Sequence, residues 1–359
     1  MLKTGEFGCN IVPPIEVTLS FNFPPPPQPG QQVKLVHRSL QKFDSCSGQA
    51  SCFSDIRVPV TLQGYLRVAS SAPRFAQPHS QLEWSYYQAG PANDTNPLVF
   101  LHGTSSTAAA FFYQVMSLSD KGYCVVSAQY PAYAGPDEWC KGFDLFLDSL
   151  RYRAVHLVGA GLGGFLAQHF ACKHRSRVRS LVLCNSFAST HAFAMRAGTW
   201  GSLISLMPTA FLRQAMQDTL PQAGFMEMRA KQAVDWVGQQ LNDLSGDDLA
   251  SRLNLNVNGN QVGPLHFENH EVTVLESSGD TMVPEELRQQ LKILYKGASF
   301  AELKSRGDFP YLSRPDEVTL FVEVHMRRFG AFAQGRAIAA TLLTRSFLTP
   351  VVDQLRCRC

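Results

Sequence analysis

From Gln81 onward the apolar and polar positions fall into a rhythm. Leu82-Glu83-Trp84-Ser85-Tyr86-Tyr87 alternates with a period of two, as a strand does when one of its faces is buried. Pro97-Leu98-Val99-Phe100-Leu101, just before His102-Gly103, is instead a short continuous apolar run, and similar runs recur at 123–128, 155–158, 178–184 and 272–275. A strand covered on both faces needs that pattern, and helix-compatible stretches separate the runs. The alternation predicts an α/β fold with a mostly parallel central sheet and helices on both faces. Between Ser186 and about Val262 the strand signal disappears and helical spacing takes over, as in Ala233-Val234-Asp235-Trp236-Val237 and Asp248-Leu249-Ala250-Ser251-Arg252-Leu253. This segment, about 187–262, is expected to be a helical cap inserted between strands.

The flanks read differently. Residues 1–52 carry Pro24 to Pro27 and a Ser/Gly-rich piece around Cys46, and are expected to form a disordered Pro/Ser-rich N-terminal arm ahead of a folded domain at 53–330. Residues 331–359 form a C-terminal tail that holds Ala337-Ile338-Ala339-Ala340-Thr341-Leu342-Leu343. That run is too short to span a bilayer but apolar enough to lie on one, which leaves a peripheral membrane contact open. The terminal Arg356-Cys357-Arg358-Cys359 is not a CaaX box.

Composition narrows the functional classes. With 45% hydrophobic and 17% charged residues, the 359-residue chain can bury one large core, and a net charge of +3 with dispersed basic residues argues against a nucleic-acid partner. The nine cysteines have no metal-ligand spacing, so neither a metal nor a cofactor is expected. The opening residues lack the apolar core of a signal peptide, and a cytoplasmic location is the corresponding expectation.

The candidate chemistry sits at strand ends. A serine hydrolase of this architecture needs a nucleophile on a sharp strand-to-helix turn, a histidine base, an acid to orient it, and backbone donors for an oxyanion. The turn after Val155 to Val158 reads Gly159-Ala160-Gly161-Leu162-Gly163, with glycine at the nucleophile's address. Glycine has no atom that can attack a carbonyl, and Ala160 and Leu162 beside it are inert. At the histidine's address, Gly307-Asp308-Phe309-Pro310 supplies Asp308, whose ordinary pKa makes it a poor base near neutrality. The later His325 lies in a helical pattern and reads as a packed helix residue. Asp280, in a turn after a strand, holds the acid's address. His102, Gly103 and Thr104 occupy the oxyanion loop and, with Leu162, form a vestigial oxyanion pocket whose backbone donors outlast the loss of catalysis. The frame is that of the α/β-hydrolase fold, without an intact triad.

Four blocks give a more specific resemblance: the glycine-rich turn running on through Gly164-Phe165-Leu166-Ala167-Gln168, Leu181-Val182-Leu183-Cys184-Asn185-Ser186-Phe187, Leu249-Ala250-Ser251-Arg252-Leu253, and Gly307-Asp308-Phe309-Pro310-Tyr311-Leu312. Together they resemble the maspardin family, from about Phe53 to Phe329. The resemblance implies a noncatalytic α/β-hydrolase relative that acts through protein–protein interaction in endosomal and trans-Golgi vesicle trafficking, peripheral on those membranes. It also implies a serine where this chain has Gly161. The leading expectation is therefore a pseudoenzyme adaptor with a protein partner. One alternative is an ester hydrolase with displaced residues, such as Cys184 or Ser105 with His102; another is a receptor holding a small-molecule ligand in the vestigial pocket.

Overall fold

The structure, a computed structural model, describes residues 66–70, 82–91, 97–221, 227–279 and 281–330. The arm at 1–52, the tail at 331–359 and Asp280 lie outside the described residues. Eight strands form one sheet: β1 (Leu66–Ser70), β2 (Glu83–Ala89), β3 (Leu98–Leu101), β4 (Val125–Gln129), β5 (Val155–Ala160), β6 (Val178–Cys184), β7 (Val272–Ser278) and β8 (Ser299–Arg306), in the order β1-β2-β4-β3-β5-β6-β7-β8. β2 pairs antiparallel with both β1 and β4, and every other pairing is parallel.

The continuous apolar runs follow from burial on both faces. Within β3, Val99 and Leu101 face one core while Leu98 and Phe100 face the other; in β6, Leu181 and Leu183 oppose Val182 and Cys184 in the same way. The first core is covered by α2 (Pro136–Ser149), α3 (Leu162–Lys173) and α8 (Glu285–Leu294), and the second by α1 (Phe112–Asp120) and α10 (Pro315–Arg327). The expected α/β-hydrolase layering is present. Trp84 anchors the first core, stacked on Phe146 of α2 with ring centroids 4.6 Å apart and its indole N–H donated to the Tyr133 hydroxyl at 2.9 Å. α2 starts where the sequence dictates, with Pro136 in its first turn followed by Asp137 and Glu138 against the positive end of the helix dipole.

Between β6 and β7 stand α4 (His191–Ala197), a 3-10 stretch (Gly198–Leu206), α5 (Thr209–Asp218), α6 (Met228–Gln240) and α7 (Gly246–Val257). The chain enters and leaves this cap side by side, because Ser189 and Gln261 form an antiparallel bridge and Thr190 N–H donates to Asn260 O at 2.8 Å. α7 opens with a capping box in which Ser245 and Asp248 satisfy each other's backbone donors. The short α9 (Pro310–Ser313) then carries the chain from β8 into α10.

Candidate functional site

The parallel strands end under the cap, and the turn from β5 to α3 lies there. Gly161 has φ 51° and ψ −119°, a backbone conformation that costs an L side chain roughly 1–3 kcal/mol. A side chain would nevertheless find room: only Asn185 O and Gly103 Cα, each at 3.9 Å, come within 4 Å of a Cβ built there. Gly163 is small for a different reason, since a Cβ on it would stand 2.2 Å from Leu101 O. That close approach lets α3 pack directly against the end of β3. Ser186 donates its hydroxyl to Gly161 O at 2.9 Å, and Gly161 N–H donates to Cys184 O at 3.0 Å, so the turn is tied to β6 on both sides. As the first residue of α3, Leu162 has no intrahelical acceptor for its N–H.

The loop after β3 supplies Gly103, Thr104, Ser105 and Ser106 to the same region. His102 points elsewhere: it is fully buried, stacks on Tyr130 with centroids 4.2 Å apart, and its Nδ1 lies 2.9 Å from Gly103 O. Burial and the Arg252 charge hold its pKa well below the usual histidine range. The loop is clamped from the cap by Arg252 of α7, a buried guanidinium that donates to Ser106 O at 2.7 Å and Thr104 O at 3.3 Å. The preceding Ser251 fastens the same helix, giving its hydroxyl to Tyr133 O and accepting from Tyr133 N–H, both at 2.8 Å.

Asp308 follows β8 and is 9% exposed. Its Oδ1 accepts the Met282 N–H at 2.6 Å, whereas Oδ2 is buried with no hydrogen-bond partner among the described residues. Burial pushes this carboxyl from an ordinary 3.8 up to about 6, against smaller opposing pulls from the Met282 N–H and the Arg288 guanidinium. Asn185 holds the loop in place: its amide donates to Ser277 Oγ at 2.9 Å and Gly307 O at 3.3 Å, and its Oδ1 accepts the Ser277 N–H at 2.8 Å. To do so it adopts φ 42°, which asparagine tolerates better than most residues.

Gly103, Thr104, Gly161, Leu162 and Asp308 thus line one cavity of about 400 Å³, closed over by Phe193, Leu253 and Val257 of the cap. His102 is not among its lining residues. The displaced alternatives are not brought together either. Ser105 lines the cavity while the His102 ring stacks away from it, and Cys184 is buried in the second core, its thiol pushed up to about 12. His325 belongs to α10, where its Nδ1 is 2.8 Å from Thr273 Oγ1 and its Nε2 is 2.7 Å from Ser180 Oγ. Ser180 also meets His156 Nδ1 at 2.6 Å, near the start of β5 and about 16 Å of strand from Gly161. Burial pushes both histidines down to about 3. They are neutral packing groups far from the cavity.

Arg252, Asn185 and Asn256 are site residues that sequence reasoning did not single out. Arg252 stands inside the amphipathic repeat of a cap helix, where an arginine reads as a solvated face; its placement three residues after Leu249 and three before Leu255, both buried, was the available signal.

Residues 98–319 match the model of the Alpha/beta hydrolase family. Maspardin of Danio rerio is 41% identical over 249 residues, covering 68% of this chain and 79% of the relative. Maspardin of Homo sapiens is 40% identical over the same length, covering 68% and 80%. Among solved structures, a bromoperoxidase from Bacillus anthracis superposes with a TM-score of 0.57 at 15% identity, covering 73% of this chain and 99% of that one. An esterase from Thermogutta terrifontis gives 0.57 at 17% identity, covering 71% and 96%. The structural likenesses establish the fold alone.

Proposed function

The chain belongs to the maspardin family of the α/β-hydrolase fold, and from that premise we propose that it is a noncatalytic adaptor acting through protein–protein interaction in endosomal and trans-Golgi trafficking. The observation that carries the reading is Gly161: the turn keeps the backbone geometry of a nucleophile elbow but offers no atom to attack a carbonyl. Asp308 adds to it, because a carboxylate in the same cavity lacks the two exchangeable nitrogens of imidazole. The cap offers a surface suited to a protein partner. Met195, Trp200, Leu206 and Phe211 of the cap are 82, 62, 81 and 52% exposed. Trp200 and Phe211 stack at 6.4 Å, the kind of aromatic anchor on which interfaces concentrate their binding energy.

Two measurements test the reading. The recombinant full chain is expected to hydrolyse short p-nitrophenyl esters no faster than its heat-denatured control, and proximity labelling in cells is expected to recover endosomal and Golgi proteins. Turnover well above the control overturns the noncatalytic part. Recovery of cytosolic metabolic enzymes alone overturns the trafficking part. No helix among the described residues is long and apolar enough to cross a membrane.

A further inference from the structure

At the opposite end of the strands from Gly161, the starts of β5, β6 and β7 enclose a second cleft, of about 420 Å³, whose lining includes Arg153, Arg175, Ser176, Arg179, Glu271 and Phe329. Arg175 is its fixed wall. The guanidinium lies over the Phe267 ring at 4.1 Å, donates to His266 O and Val178 O, and grips both carboxylate oxygens of Glu271 at 2.8 and 3.0 Å. That pairing neutralises the one acidic residue of the described lining. Arg153 and Arg179 are exposed and form neither an ion pair nor a hydrogen bond with any described residue. A slip in the sheet presents Arg179: Val155 pairs with Val178 and His156 with Ser180, so Arg179 is an extra residue on β6 and stands outside the ladder. Its charge reaches the floor of the cleft, where Phe329 meets His156 edge-on with centroids 4.8 Å apart. Burial first and the Arg179 charge second hold the His156 pKa down at about 3.

Two uncommitted guanidiniums at one cleft repel each other, and an anion held by both turns that cost into charge-assisted hydrogen bonds. We propose that this cleft binds the phosphomonoester headgroup of an anionic lipid, held by Arg153 and Arg179 with the Ser176 hydroxyl as a further donor. A monoester suits the cleft better than a diester, because its three unesterified oxygens serve two arginine forks where a diester offers two. Two features favour a lipid over a soluble phosphate. Arg153, Ser176 and Arg179 are all exposed, so a headgroup standing on a bilayer reaches them without entering the protein. The last described residue, Gly330, follows Phe329 of the cleft and continues into the segment whose Ala337 to Leu343 run is apolar enough to lie on a bilayer. The choice of a lipid also rests on the membrane-peripheral part of the trafficking reading. Open α/β sheets place their ligands at the carboxyl ends of the strands, whereas this cleft lies at the amino ends, so it is separate from the cavity under the cap.

The test is flotation of the full chain with phosphatidylcholine vesicles at about 0.15 M salt. One set holds about 20 mol% phosphatidic acid, a monoester, and the other enough phosphatidylglycerol, a diester, to give the same surface charge. Phosphatidic acid is expected to bind the chain at least about fivefold more tightly than phosphatidylglycerol. Arg153→Gln with Arg179→Gln is expected to weaken that binding at least about tenfold, from a several-fold contribution per arginine, and to bring it to the level of the diester. Arg229→Gln with Lys231→Gln removes as much charge from exposed positions on α6 and is expected to change it by less than about twofold. Equal binding to the two lipids, equal losses from the two pairs of substitutions, or no vesicle binding overturns the proposal. So does micromolar affinity for glycerol 3-phosphate or a phosphoserine peptide in isothermal titration, which makes the ligand a soluble phosphate or a protein. The comparison of headgroups in the unmodified protein stands even where a variant fails to fold. Recovery of endosomal and Golgi proteins by proximity labelling, without vesicle binding, sinks this site alone; vesicle binding without that recovery sinks the trafficking reading alone.

Discussion

Replacing Asp308 by asparagine isolates one buried carboxyl whose energetics follow from its surroundings. In the unfolded chain this group titrates near 3.8, and in the folded protein near 6. The folded state therefore holds the proton more tightly. Stability is greatest below the lower value, declines as pH rises between the two, and remains diminished above about pH 6. The full difference corresponds to about 3 kcal/mol. Asparagine keeps the acceptor for the Met282 N–H and removes the charge, but places an N–H donor where Oδ2 had no partner, at a cost of about 1 kcal/mol. At pH 7.5 the variant is expected to be more stable by about 2 kcal/mol. At pH 4.5, where the folded carboxyl is already neutral, the advantage is expected to shrink to about zero.

Urea unfolding of both proteins at the two pH values measures this directly, with the midpoint and slope compared at each. His156 and His325, held neutral in the fold, lose stability in acid as pH falls below the ordinary histidine value. They do so equally in both proteins, so the difference between variant and parent cancels them. A variant less stable than the parent at pH 7.5, or a difference that does not change with pH, refutes the claim that Asp308 is an uncompensated charge.

Other perturbations address the walls of the site. Gly161→Ser has room for its side chain but must adopt φ 51°; the strain, partly offset by the lost freedom of glycine in the unfolded chain, predicts a loss of about 1 kcal/mol and no measurable gain in ester hydrolysis by spectrophotometric assay. A large gain in turnover from that change would refute the account of the site. Gly163→Ala puts a methyl 2.2 Å from Leu101 O, with backbone on both sides, and is expected to cost at least about 3 kcal/mol or to prevent recovery of soluble protein on expression. Arg252→Met removes two hydrogen bonds to the loop after β3 and should lower stability by about 2 kcal/mol while speeding hydrogen exchange in residues 103–107, read by mass spectrometry.

The layered fold was legible because strands buried on both faces must be written as continuous apolar runs, and β3 to β7 are. β8 was not recognised as a run because, as an edge strand, it carries polar positions at intervals: Leu303 is fully buried while Phe300 is 41% exposed. The turn at Gly161 and the loop at Asp308 were legible as addresses, since short spacing from a strand fixes where a residue emerges. What the sequence did not carry was the set of side chains holding those addresses together. Asn185 joins β6, β7 and the Asp308 loop across 92 and 122 residues, and Arg252 reaches the Ser106 carbonyl across 146. Local pattern has no access to contacts at that separation. His102 misled for a related reason: its place in the chain is that of an oxyanion loop, but the aromatic Tyr130, on the neighbouring strand's exit, captures its ring.

The cap makes the cavity and the exposed apolar face parts of one element. Phe193 and Arg196 of α4 line the cavity, while Met195, between them in sequence, faces solvent, and the 3-10 stretch that continues the chain carries Trp200 and Leu206. An occupant that packs against Phe193 therefore restrains the helix that presents Met195. The base of the cap does not give way in compensation, because Thr190 N–H donates to Asn260 O, Val262 N–H donates to Ala188 O, and Arg252 fixes α7 to the loop after β3. The restraint is expected to appear as slower hydrogen exchange over 191–206 when the cavity is filled by a small apolar molecule such as 1-decanol, with residues 246–257 little changed. Slowing confined to 246–257, or none in either segment, would show that cavity and surface are energetically separate and that a ligand has no route from Phe193 to the exposed apolar residues of the cap.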